Sequence, residues 1–253
     1  MTDTALKAAL YLEAVLPALP SLAAHDTLLA AALAGPDVAI SFFAPGGLRT
    51  RLAIARNHPN VTREPQPGDV RLWFPTTGQL VRAFDGSGRA ALAVPFGGFT
   101  RLGRARRLAA AGQRLETLLN TRAPAHLALH AWGNLVVGIH AATTWLRRHP
   151  DGPATHARLG RGTAVFACPA FPSPLWLDLA TLTTGMGEPP NPAMVRIEFA
   201  DLATVLAELD HELDAPAALG LGTLRITGYL PLAENLGLVM LKAGALLKPA
   251  NPF

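Results

Sequence analysis

Apolar and polar positions alternate strictly in two short stretches of this chain. Leu48, Thr50, Leu52 and Ile54 are interleaved with Arg49 and Arg51. Val70, Leu72 and Phe74 are interleaved with Arg71 and Trp73. A period of two predicts strands with one face buried. Ahead of the first lies the apolar run Ala39–Phe43, and Ala44–Pro45–Gly46–Gly47 between them predicts a hairpin turn. Upstream, Thr4–Ala34 has helical periodicity and is expected in two pieces joined near Pro17–Pro20, with Gly35–Pro36 as a stop. Arg56–Gly68 is too polar for a buried element and reads as a loop. Thr76-x-x-Gln79 is a capping-box pattern that predicts a helix over Gly78–Phe84. A strand over Ala91–Phe96 and a basic helix over Phe99–Leu119 follow.

The pattern then repeats. Ala39–Phe74 aligns without a gap on Ala164–Phe199 at a constant shift of 125 residues, with identities at Ala39, Leu52, Ala55, Pro65, Pro67, Val70, Arg71 and Phe74. A duplicated supersecondary unit predicts a duplicated fold. Strands are therefore expected at Gly162–Cys168, Leu175–Ala180, Met194–Phe199 and Leu224–Thr227. Asp201 should cap a helix over Leu202–Leu209, and Pro231 should open a last amphipathic helix. Leu232, Leu236, Val239, Ala243 and Leu246–Leu247 share one face of it. Between the copies, Ala125–Arg148 reads as a helix and His149–Gly160 as a link.

At 253 residues, half of them hydrophobic, the chain suits two domains with real cores. The net charge of +4 is unevenly spread. Residues 35–122 carry 13 arginines against five acids, whereas residues 150–253 carry six basic and ten acidic side chains. The two copies have diverged in charge while keeping their apolar pattern, so either the opposite signs help the halves dock or the basic half faces an anionic surface. The single cysteine, Cys168, excludes an intrachain disulfide and a cysteine-rich zinc site. No signal peptide is visible, so a cytoplasmic location is expected. Ala123–Leu146 lacks formal charge but contains His126, His130, Asn134 and His140, which would be costly in lipid; a buried helix rather than a transmembrane segment is expected.

Candidate chemistry is sparse. His126 and His130 have metal-ligand spacing on a helix, but no nearby acid completes a site, so no metal is expected. Cys168 falls opposite Phe43 in the repeat, inside a strand, and reads as a small core residue rather than a nucleophile. Gly160-x-Gly162 and Gly220-x-Gly222 do not extend to a dinucleotide-binding pattern, and no nucleophile elbow occurs. No catalytic residue and no cofactor are expected. Arg101, Arg104, Arg106 and Arg107 crowd the start of a helix, where the dipole does not favour cations, so Arg101–Arg107 is a candidate for contact with an anionic surface. Nucleic acid is not expected, because aromatic residues are not interleaved with these arginines along the chain.

Phe199–Ala200–Asp201, then Gly222–Thr223–Leu224, Gly228 and the closing helix Leu230–Leu247 resemble the sterol carrier protein 2 (SCP2-like) family. The first copy resembles it more loosely, through Val70–Phe74, Phe84–Asp85–Gly86 and Gly97–Leu119. The resemblance implies an α+β fold of two tandem SCP2-like pseudo-repeats, residues 1–122 and 123–253, each a mixed sheet of about five strands covered by helices. It also implies binding or transfer of a hydrophobic small molecule: a fatty acyl chain, a sterol-like lipid or an isoprenoid. The alternative is an interaction module or an accessory subunit of an enzyme, its cavity filled by side chains. A ligand wall would be drawn from Trp73, Phe96, Phe166, Trp176, Phe199, Leu236, Val239 and Met240.

Overall fold

A computed structural model describes residues 2–85, 92–105 and 107–247. The fold is α+β, with two five-stranded mixed sheets. The chain divides into two compact units: the first runs to Asn120 and takes in the end of the last helix from Ala245, and the second is Thr121–Gly244.

The first unit opens with helix α1 (Asp3–Leu10), a π-turn at Tyr11–Val15 and helix α2 (Leu16–Ala23). The prolines do not break this helix as the sequence suggests. The π-turn directs the Leu16 amide to the Tyr11 carbonyl, and Pro17 follows at the start of α2, where a missing N–H is tolerated. The break falls instead at Asp26, whose carboxylate caps α3 (Thr27–Leu33) by accepting from the Leu29 amide at 2.6 Å. The same carboxylate takes a two-pronged ion pair from Arg114 at 3.0 and 2.6 Å.

Strands β1 (Val38–Ala44), β2 (Leu48–Ala55), β3 (His58–Thr62), β4 (Val70–Trp73) and β5 (Val94–Gly97) form a sheet in the order β3-β2-β1-β4-β5, with β1 and β4 parallel. Strand β3 lies inside the stretch expected to be a loop. Arg56 and Asn57 take φ of 51° and 66°, closing a two-residue hairpin, and the strand is an edge whose polar residues can face water on both sides. Inner-face residues Phe42, Ala44, Leu48, Leu72 and Phe74 pack with Ala8, Ala9, Tyr11 and Leu12, and with Leu80 of α4 (Thr77–Phe84). Thr76 caps α4, but Gln79 does not reciprocate; its side chain accepts from the Leu92 amide instead. The expected basic helix is broken into a 3₁₀ turn at Phe99–Arg101, α5 (Leu102–Ala105) and α6 (Arg107–Asn120). Ala91 and Gly86, parts of the expected strand and of the family pattern, lie outside the described residues.

The second unit opens with α7 (Leu127–Arg148), which carries a long series of buried side chains. The expected link after it contains another helix, α8 (Gly152–Leu159), with Pro153 in its first turn. Strands β6 (Thr163–Ala167), β7 (Leu175–Asp178), β8 (Thr183–Met186), β9 (Ala193–Phe199) and β10 (Leu224–Gly228) form a sheet in the order β10-β9-β6-β7-β8, the same connectivity as in the first unit. Helix α9 (Leu202–Leu209) is capped by Asp201. The Ala-rich insertion before β10 folds as α10 (Ala215–Leu221), and the chain closes with α11 (Leu230–Leu247).

The gapless shift of 125 holds for β2/β7 and β4/β9 but not for β1/β6. Ile40 pairs with Leu52 and Val70, whereas Ala164, not Val165, pairs with Leu177 and Val195. Strand β6 is therefore offset by 124, and a one-residue slip exchanges the faces of a strand. Cys168 consequently corresponds to Ala44 rather than Phe43 and lies buried just beyond β6. The correct register exposes a further divergence. In the first sheet Asp69 accepts from Ser41 Oγ at 2.6 Å, Arg51 Nε at 3.0 Å and the Gln66 amide at 2.8 Å. The corresponding positions in the second sheet are Val165, Trp176 and Met194, an apolar replacement for a buried polar cluster.

Among the described residues, two helical runs are long and apolar enough to cross a membrane: Asp3–Ala23 and Leu230–Leu247. The first is mostly buried, and the second leaves Leu230, Leu238 and Leu241 exposed. Neither is the uncharged stretch singled out in the sequence, which forms α7.

Candidate ligand-binding cleft

The second unit contains a cleft of about 530 Å³ at the ends of β6 and β9 and the start of β10. One wall is the loop Cys168–Pro174, which contributes Cys168, Pro169, Phe171, Pro172, Ser173 and Pro174. Three prolines fix much of its backbone. The Phe171 amide closes a turn on the Cys168 carbonyl at 3.0 Å, and Trp132 Nε1 of α7 donates to the Ser173 carbonyl at 3.2 Å. The wall is thus folded on itself at one end and tied to α7 at the other. Phe199, Ala200 and Gly222 close the other side.

The floor is polar. Arg196 and Glu198 alternate on the outer face of β9, and Arg225 stands opposite Glu198 on β10. Arg196 Nε donates to Glu198 Oε1 at 2.8 Å. Two guanidinium groups against one carboxylate leave the floor with a net positive charge. Cys168 is held toward its thiol form. Burial pushes its thiol up, with the nearby Asp201 carboxylate adding to the effect and a hydrogen bond from the Ala170 backbone opposing it. Asp201 itself is held low by the Thr204 amide and hydroxyl, both donating at 2.8 Å as the helix cap.

The residues expected to line a ligand site are not brought together. Phe199 lines the cleft. Phe166 is buried on the inner face of the second sheet, and Leu236 and Val239 are buried on α11. Met240 packs against α7: a Cβ on Gly138 would lie 2.9 Å from its methyl group. Trp176 lies on the outer face of β7, its ring so close to Gly185 that a Cβ there would be 2.3 Å away. Trp73 and Phe96 are exposed on the outer face of the first sheet. Arg196, Glu198, Arg225 and Phe171 were not singled out by the sequence. The available signal was the spacing of Arg196 and Glu198 two apart on a strand, and the proline-rich run Cys168–Pro174.

His126 lies in the 3₁₀ turn Pro124–His126 ahead of α7, with Nε2 3.2 Å from the Thr121 carbonyl, while His130 is buried in the helix. Arg101 is exposed and donates to the Gly68 carbonyl at 3.2 Å. Arg106 lies outside the described residues, as do the side chains of Arg104 and Arg107.

No protein family matches the chain, and no curated protein matches it. Solved structures that align with it include "UbiJ-SCP2 Ubiquinone synthesis protein", at 21% identity and TM-score 0.33, over 41% of this chain and 85% of the other. Palmitated SCP2L2 from Aedes aegypti aligns at 23% identity and TM-score 0.31, over 41% and 90%. Sterol carrier protein 2 like 2 from the same organism aligns at 19% identity and TM-score 0.26, over 40% and 98%. Each match is a likeness of fold, taking in most of the other protein and about two-fifths of this one.

Proposed function

We propose that the second unit is a non-enzymatic cytoplasmic binding module for a hydrophobic small molecule with an anionic end, of the fatty-acid type. The observation that carries this reading is the cleft's division into a proline- and phenylalanine-rich wall and a cationic floor. Its volume suits a small ligand. The wall would take the apolar chain, and Arg225, which stands across from Glu198 while that carboxylate is engaged by Arg196, would take the acidic group.

Native mass spectrometry of the freshly purified chain, followed by organic extraction, tests it. The expected result is a bound amphiphile, displaced by a fluorescent fatty acid. Arg225→Gln is expected to weaken uptake about tenfold, the scale of one charged hydrogen bond. An empty protein that takes up no fatty acid overturns the proposal.

A second reading, an interaction module or accessory subunit, is favoured by the exposed Leu230, Leu238 and Leu241 along α11. A partner enzyme retained by the wild-type chain and lost with Leu238→Glu would support it.

A further inference from the structure

We infer that the outer face of the first sheet docks on an anionic phospholipid surface. Strand register places Arg49, Phe43, Trp73 and Val94 in one row across β2, β1, β4 and β5. Phe96 packs edge-on against Phe43, with ring centroids 5.2 Å apart. Trp73, Phe96 and Val94 are 44%, 47% and 37% exposed, and Leu92 beside the strand is 54% exposed. The next row holds Arg71, which lies along Gly97.

The face is cationic without compensation. Asp69, which lies beside it, is buried and already engaged with Ser41, Arg51 and the Gln66 amide. Among the described residues neither Arg49 nor Arg71 has an ion-pair partner. Exposed aromatic and aliphatic groups flanked by arginines match the boundary between acyl chains and headgroups, where tryptophan and phenylalanine partition and each arginine tightens binding to an anionic membrane about fivefold.

The fold thus interleaves aromatics with arginines where the linear sequence does not. A single-stranded nucleic acid is the other polyanion to weigh. Stacking needs open ring faces, but Phe43 and Phe96 occupy each other, and Val94 and Leu92 offer a base nothing. Contact with an anionic surface therefore centres on the sheet face rather than on Arg101–Arg107, whose first guanidinium is tied to Gly68. The proposal is independent of the cleft in the second unit.

Co-sedimentation of the full chain with phosphatidylcholine vesicles, with and without about one-third phosphatidylglycerol, tests it. Binding is expected to be at least about tenfold tighter to the anionic vesicles, and to fall about tenfold or more in Arg49→Gln/Arg71→Gln and in Trp73→Ala/Phe96→Ala. Arg49, Trp73 and Phe96 are exposed and Arg71 is half-buried on the sheet surface, so circular dichroism should be unchanged. Should a variant misfold, brominated lipid gives a second readout on the wild type: it should quench one tryptophan, and Trp73→Phe should abolish the quenching, since Trp132 and Trp145 are buried and the half-buried Trp176 has its ring packed over Gly185. Equal binding to neutral and anionic vesicles, no binding to either, or binding to a single-stranded oligonucleotide alone would overturn the proposal.

Discussion

Two ionisable side chains with displaced titration, His140 and Asp69, shape the response of the fold to acid. Burial in α7 pushes the His140 imidazole down to about 4, and the neighbouring Arg147 acts in the same direction. Its ring lies 3.2 Å from the Thr184 hydroxyl. In the unfolded chain this group titrates near 6.5, so between these values the unfolded chain binds a proton that the folded one does not. The stability is fully present above about pH 6.5 and declines as the pH falls toward 4, by at most about 3 kcal/mol. Asp69 acts in a separate window. Burial raises its pKa, but the Gln66 amide, the Ser41 hydroxyl and Arg51 together outweigh that and hold it low. Its contribution is present above the ordinary carboxylate value and lost as the pH drops through the depressed one. Urea melts across pH 3–7 are expected to show both declines, and His140→Gln should remove the first while leaving the second. A wild-type profile flat between pH 4 and 6.5 would contradict this. None of this was legible in the sequence: His140 read only as a polar group in an uncharged helix, and Asp69 as the start of a strand.

Strands with one wet face were legible because alternation is a direct image of the sheet. That holds for β2 and β4, and for the caps at Thr76 and Asp201, where a side-chain oxygen must meet a free amide. The slip in β6 was not legible, because Ala164–Cys168 is apolar throughout and either register places apolar against apolar. Edge strands β3 and β8 escaped for the opposite reason, being too polar or too short to alternate. Strand register also pairs two glycines that the constant shift separates. Gly98 (φ +70°) crosses the backbone at Asp69, just ahead of β4, and Gly228 (φ +94°) crosses it at Met194, near the start of β9. A Cβ would lie 2.4 Å from the Asp69 carbonyl oxygen in one case and 2.2 Å from that of Met194 in the other. Both the left-handed backbone and the close approach require glycine. Gly98→Ala and Gly228→Ala are each expected to cost at least about 2 kcal/mol in thermal melts, and tolerance of either would refute the equivalence.

At the scale of the molecule, duplication has given one connectivity two uses. In the first unit a buried polar cluster fixes the sheet, and aromatics with arginines occupy its outer face; in the second the cluster has become Val165, Trp176 and Met194, and the outer face holds a cleft. The two-copy α+β architecture and the charge asymmetry could be read from the sequence. The site could not, because its floor is made of alternate residues on two strands distant in sequence, and large apolar residues mark packed cores more often than ligand walls. The most direct test of the central claim is covalent mapping with a diazirine-bearing fatty acid, photolysed on the full chain and located by peptide mass spectrometry. Adducts are expected in the peptides spanning 167–174, 196–200 and 222–225, and should be suppressed by excess unlabelled fatty acid. Adducts confined to α11 or to the first unit, or adducts insensitive to competition, would contradict it.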